Sequence, residues 1–126
     1  MKENNPTAKE LEILQVLWKE GPSTVRDVNE ILSINKVIGY TTTLKLMQIM
    51  FEKGIISREK NGKTHIYKAE ITQSNTQQKL VDKLLENAFG GSAMKLVMQA
   101  LGTSKSSKQE LDEIREYLDK LEGGQK

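Results

Sequence analysis

The chain has 126 residues, 37% of them hydrophobic and 29% charged, which suits one domain plus an extra element, or two small units, and argues against low-complexity disorder. There is no cysteine and one histidine, so disulfides, thiol catalysis and thiolate metal sites are excluded and a histidine zinc site is disfavoured. The net charge of +2 hides an asymmetry: residues 1–35 balance to −2, residues 36–68 to +5 and residues 69–126 to −1. Positive charge gathered in one segment is the footprint of a polyanion partner.

The N-terminus, Met-Lys-Glu-Asn-Asn-Pro, lacks the apolar stretch of a signal peptide, and no apolar run approaches bilayer length, so the expected location is the cytoplasm. Pro6-Thr7-Ala8-Lys9-Glu10-Leu11 predicts a helix start with a reciprocal Thr7–Glu10 capping box and Pro6 packed on Leu11. This helix runs to about Glu20 with Leu11, Leu14, Leu17 and Trp18 inward, and Gly21-Pro22 stops it. Ser23 is the expected cap of a second, shorter helix whose inner face is Val25, Val28, Ile31 and Leu32.

A connection over residues 33–39 leads to a third helix over about 40–54, closed by Gly54. Helical spacing places Tyr40, Leu44, Met47 and Phe51 inward, flanked by Thr43 and Met50. Thr41, Thr42, Lys45, Ile49 and Glu52 fall outward, a face suited to the major groove. The period then changes. Two strand-like runs flank Asn61-Gly62, a strong hairpin signal. A turn at those two residues would set Lys60 opposite Lys63, Arg58 opposite His65 and Ile56 opposite Tyr67. Arg58, Lys60, Lys63 and His65 would form a basic tip for DNA backbone, within a wing over about 57–67. With no acidic or cysteine partner nearby in sequence, His65 suits a phosphate contact better than base catalysis or metal ligation. Three helices followed by a basic hairpin is the winged helix-turn-helix order.

Residues 77–89 make a helix with Leu80, Val81, Leu84, Leu85, Ala88 and Phe89 on its apolar face, broken by Gly90-Gly91. Ser92 caps a nearly all-apolar helix over 93–101, containing Leu96, Val97 and Leu101. Residues 102–106 read as a flexible connection, and Ser107-Lys108-Gln109-Glu110 as a capping box for a last helix bearing Leu111, Ile114, Tyr117, Leu118 and Leu121. The terminal Gly123-Gly124-Gln125-Lys126 should fray. Three helices with this much apolar face either fold back on the first unit or pair with a second copy. The reading is a mostly helical fold with one small hairpin: a winged-helix DNA-binding domain over 1–70 and a helical dimerisation region over 71–126. Leu80, Leu84, Leu85, Phe89, Leu96, Val97, Leu101, Ile114 and Leu118 are the candidate dimer contacts.

The chain resembles the BlaI/MecI/CopY penicillinase-repressor family. The resemblance rests on residues 6–14 with Leu17-Trp18, on Gly39-Tyr40-Thr41-Thr42, on Glu52-Lys53-Gly54-Ile55, on Gly62-Lys63-Thr64-His65-Ile66-Tyr67, and on Gly91-Ser92 leading into Leu96-Val97. It implies a homodimeric repressor on an inverted-repeat operator, with Gly39, Thr41, Thr42 and Lys45 at DNA-contacting positions and Arg58, Lys60 and Lys63 at backbone contacts. It also implies release through a membrane sensor-protease, the bond matching the family's cleavage site being Gln99-Ala100. Leu44 stands where β-lactam resistance repressors usually carry arginine. The cysteine-rich metal-binding tail of the copper-responsive branch has no counterpart. No cofactor, metal or small-molecule ligand is expected. The other reading of the same basic face is an interaction module for an acidic protein. An enzyme is disfavoured because there is no glycine-rich phosphate loop and no paired carboxylates in an apolar setting.

Overall fold

A computed structural model describes residues 5–103 and 105–123. The reading of residues 1–4 as free of a signal, of Ser104 as part of a flexible connection, and of residues 124–126 as frayed falls outside the described residues. The elements run α1 (Ala8–Glu20), α2 (Val25–Leu32), α3 (Tyr40–Lys53), β1 (Ile56–Asn61), β2 (Thr64–Ala69), α4 (Gln73–Ala88), α5 (Ala93–Thr103) and α6 (Lys108–Gly123). They divide into two compact units, residues 1–79 and 80–126.

In the first unit α1 begins as its sequence dictates. The Glu10 amide donates to Thr7 Oγ1 and the Thr7 amide donates to Glu10 Oε1. The buried stripe differs in detail from the expected one. Ile13, Leu14, Val16 and Leu17 are buried, while Leu11 and Trp18 pack at the edge of the core. Trp18 sits there because its indole N–H must find a partner, and it donates to the Ile71 carbonyl at 3.0 Å.

Ser23 is not the cap of α2; Thr24 is, in a reciprocal box with Asp27. Ser23 is instead a buried strand-like residue bridging to Tyr67, with both backbone bonds made. Val25 and Val28 are buried as expected and Leu32 packs on the core, but Ile31 lies on the surface. In α3 the buried residues are Thr43, Met47 and Met50, with Leu44 and Phe51 packed beside them. Tyr40, expected inside, is 51% exposed, because the first turn of α3 projects past the core. Gly54 takes a left-handed conformation (φ 83°) and the chain closes with a Schellman pattern, the Ile55 amide donating to the Met50 carbonyl.

The join between α2 and α3 is held by two side chains, Asn29 and Ser33. Asn29 Nδ2 donates to the Ile38 carbonyl and to Thr43 Oγ1, both at 2.9 Å, and Thr43 is fully buried. Ser33 Oγ donates to the same Ile38 carbonyl at 3.2 Å. Asn29→Ala should therefore cost about 2 kcal/mol, since the fully buried Thr43 hydroxyl loses its donor and the Ile38 carbonyl keeps only that of Ser33. A urea unfolding midpoint that does not move would contradict this.

The hairpin register also departs from expectation. Asn61 pairs with Thr64, Lys60 with His65, Arg58 with Tyr67 and Ile56 with Ala69. The turn residues are Gly62 and Lys63 rather than Asn61 and Gly62. Gly62 has φ 65° and Lys63 does not share a positive φ, so the turn has the II′ form with glycine first. This shift moves each partner by two residues. The inward set is therefore unchanged, and Lys60 no longer opposes Lys63.

Beyond the hairpin, Thr72 accepts from the Asn75 amide and starts α4 at Gln73, four residues before the expected point. Helix α5 continues through Gly102 and Thr103, which were expected to be a connection. Ser92 accepts from the Lys95 amide, and Ser107 from the Glu110 amide, as the sequence indicated.

Candidate nucleic-acid interface

Burial of Thr43, Met47 and Met50 turns the opposite side of α3 to solvent. Thr41, Thr42, Lys45, Gln48 and Glu52 are exposed there, with Ile49 at 36%. Gly39 is the N-cap, and its carbonyl accepts from the Thr42 and Thr43 amides. It offers no side-chain cap, and the first turn holds no acidic residue. The positive end of the helix dipole is thus left to an outside anion. A Cβ at Gly39 would meet only Thr42 Oγ1, at 3.9 Å, so nothing inside the fold requires glycine there.

The cations of residues 36–68 divide sharply by partner. Lys53 Nζ reaches both oxygens of buried Glu10 at 2.9 Å. Lys36 pairs with Glu12 at 3.4 Å, and Lys68 with Glu70 at 3.9 Å. Arg58 stacks its guanidinium 4.1 Å above the Phe51 ring and donates from Nη1 to the Tyr67 hydroxyl at 3.5 Å. Among the described residues, Lys45, Lys60 and Lys63 make no such contact, and all three are exposed. Among the described residues, one lysine on α3 and two on the wing thus stand without an internal ion pair, while Lys36 and Lys68 keep side chains 60% and 62% exposed in surface pairs.

The hairpin register sets what the wing presents. Arg58, Lys60, His65 and Tyr67 share the face turned toward the helices. His65 is exposed and stands edge-on to Tyr67, with ring centroids 6.3 Å apart. Between this face and the starts of α2 and α3 lies a cleft of about 450 Å³. Thr24, Arg26, Tyr40, Lys63, Thr64 and His65 are among its lining residues, and no carboxylate is.

Three side chains of this surface escaped the sequence reading. Gln48 was legible, since it follows Thr41 and Lys45 at helical spacing. Tyr40 was placed inside because its spacing matches Leu44 and Met47. Arg26 lies in a segment of net negative charge, and only the fold brings it opposite the wing.

The second unit presents a different surface. No residue of α5 or α6 is fully buried. Of the candidate dimer contacts, Leu84, Val97 and Leu118 are exposed, and Leu80, Leu85, Phe89, Leu96, Leu101 and Ile114 are half-buried. Gln99 and Ala100 lie exposed in the middle of α5. Among the described residues no acidic or histidine cluster suits a metal ion, and no helix is long and apolar enough to cross a membrane.

A family model described as penicillinase repressor matches residues 6–120. The methicillin resistance regulatory protein MecI of Staphylococcus aureus is 22% identical over 114 residues, which is 90% of this chain and 93% of that protein. The penicillinase repressor of Bacillus licheniformis is 23% identical over 110 residues, covering 87% and 86% of the two chains. The transcriptional regulator BlaI of Mycobacterium tuberculosis is 26% identical over 114 residues, covering 89% and 81%. Among solved structures, transcriptional regulator Tm0710 from Thermotoga maritima superposes with a TM-score of 0.49 at 18% identity, over 93% of this chain and 74% of the other.

Proposed function

The chain belongs to the penicillinase-repressor family, and from that premise we propose that it is a homodimeric transcriptional repressor that grips an inverted-repeat operator in duplex DNA. The family is one of repressors rather than enzymes. The observation that carries the reading is that, among the described residues, Lys45, Lys60 and Lys63 have no internal ion pair or ring contact, while Lys36, Lys53, Arg58 and Lys68 each have one.

In this reading Thr41, Thr42 and Lys45 meet base edges and nearby phosphates, with α3 in the major groove. Gly39 keeps the approach to the helix start clear. Lys60 and Lys63 neutralise backbone phosphates from the wing, where His65 also contacts the backbone, and Arg26 does so from α2. Arg58 acts on the backbone indirectly: held by Phe51 and Tyr67, it fixes the wing against α3.

The division of labour follows, with DNA binding in residues 1–70 and dimerisation in 71–126. The exposed apolar side chains of α4, α5 and α6 support pairing of two copies through this region, which would set two recognition helices on two half-sites. Release would follow cleavage of Gln99-Ala100 by a membrane sensor-protease, because cutting α5 midway divides the paired surface. A repressor of this kind works in the cytoplasm, where its operator lies.

Sedimentation and DNA titration test the proposal together. The protein should sediment as a dimer. It should bind the region upstream of its own gene more tightly than random duplex, and lose about a thousandfold in affinity between about 50 and 200 mM salt, the loss expected for six or more phosphate contacts. A monomer, or a protein that shifts no duplex at low salt, would overturn it. The latter result would return the basic face to an acidic protein partner.

A further inference from the structure

The two flanks of the α3 reading face are chemically unlike. One flank opens on the cationic cleft holding Arg26, Lys63 and His65. The other carries an apolar strip. Thr42, Leu46 and Ile49 follow one another at helical spacing along it, and Val37 joins Thr42 and Leu46 around a hollow whose far side is lined by Lys9 and the Lys36–Glu12 pair. Val37 is 100% exposed. The chain beside it is held, since the Ile38 carbonyl accepts from both Asn29 and Ser33. A β-branched side chain on a held backbone loses little freedom on making a contact. The fold gains nothing from this one, which touches no core.

Resting on the DNA reading above, we propose that Val37 and Ile49 read thymine by packing on its 5-methyl group. That methyl is the apolar feature a major groove offers, and valine or isoleucine beside a threonine is the chemistry that meets it. The surface is continuous with the reading face through Thr42, which belongs to both. The cationic flank then meets backbone, and the apolar flank adds sequence preference without adding charge.

The test uses full-length protein and an operator selected by it from a randomised duplex pool. Each thymine is replaced in turn by deoxyuridine, which removes the methyl alone. Wild-type protein should lose about fourfold at one or two positions per half-site, the value of one buried methylene. Val37→Ala should show no further loss at one of these positions, and Ile49→Ala none at another, while both keep the wild-type salt dependence and melting temperature. Either residue loses its assignment if its alanine variant keeps the wild-type sensitivity at every thymine. Both lose it if no deoxyuridine weakens a wild-type protein that binds the operator well. A wild-type protein that selects no sequence at all fails differently: it overturns the DNA reading, and this proposal with it.

Discussion

Lys45→Glu is expected to weaken operator binding by about a hundredfold or more, the largest effect of any single exposed substitution in this chain. The lysine stands at the centre of the outward face of α3, between Thr41 and Gln48. Its ammonium is without an internal partner among the described residues, so in the free protein it gives up nothing but water to contact DNA. Glutamate removes that contact and places a negative charge in the strongly negative field of the groove. Lys45→Ala, which only removes the contact, should cost about tenfold, and more on operator than on random duplex. The salt dependence should become shallower in both variants, since fewer counterions are released. The side chain is exposed, so thermal unfolding should not change. Equal losses on operator and random DNA would show that Lys45 senses phosphate alone and that α3 does not read bases through it.

The largest effect on stability should come from the opposite end of the same helix. Lys53→Met is expected to cost about 3 kcal/mol, because Glu10, whose side chain is 3% exposed, would lose its counterion. The figure stands at the lower end for a buried pair because the Lys53 side chain is 32% exposed and water screens part of the interaction. Glu10 also accepts from the Thr7 amide, so the pair ties the cap of α1 to the end of α3. Adding Glu10→Leu should restore most of the loss, short of the roughly 1 kcal/mol belonging to the cap bond. Urea unfolding of the two single variants and the double variant forms the cycle. Below the unfolding transition the Lys53→Met protein should bind DNA as wild type does. A folded Lys53→Met protein with weakened DNA binding would move Lys53 into the interface and out of the core.

These two lysines, eight positions apart on α3, mark where one-dimensional reading stops. What the chain writes locally was legible: the Thr7–Glu10 box, the stop at Gly21, the close at Gly54, the glycine-centred hairpin, the caps Ser92 and Ser107. Each depends on residues within a few positions of one another, where hydrogen-bond geometry and side-chain period leave few choices. Family membership was legible for the same reason, since its motifs are runs of neighbours at set spacing.

The fate of individual charges was not legible. Sequence counts Lys45 and Lys53 alike, but Glu10, 43 residues upstream, engages one and leaves the other. Arg58, read from sequence as a backbone contact, is also held by Phe51 and Tyr67, which no local pattern indicated. Arg26, which no local pattern singled out, lines one cleft with Lys63 and His65 of the wing. Tyr40 carried the right spacing for the core, and the core ended one turn short of it. Pairings over such distances are settled by packing between elements, and no local pattern encodes which cation will find an acid, a ring or open water.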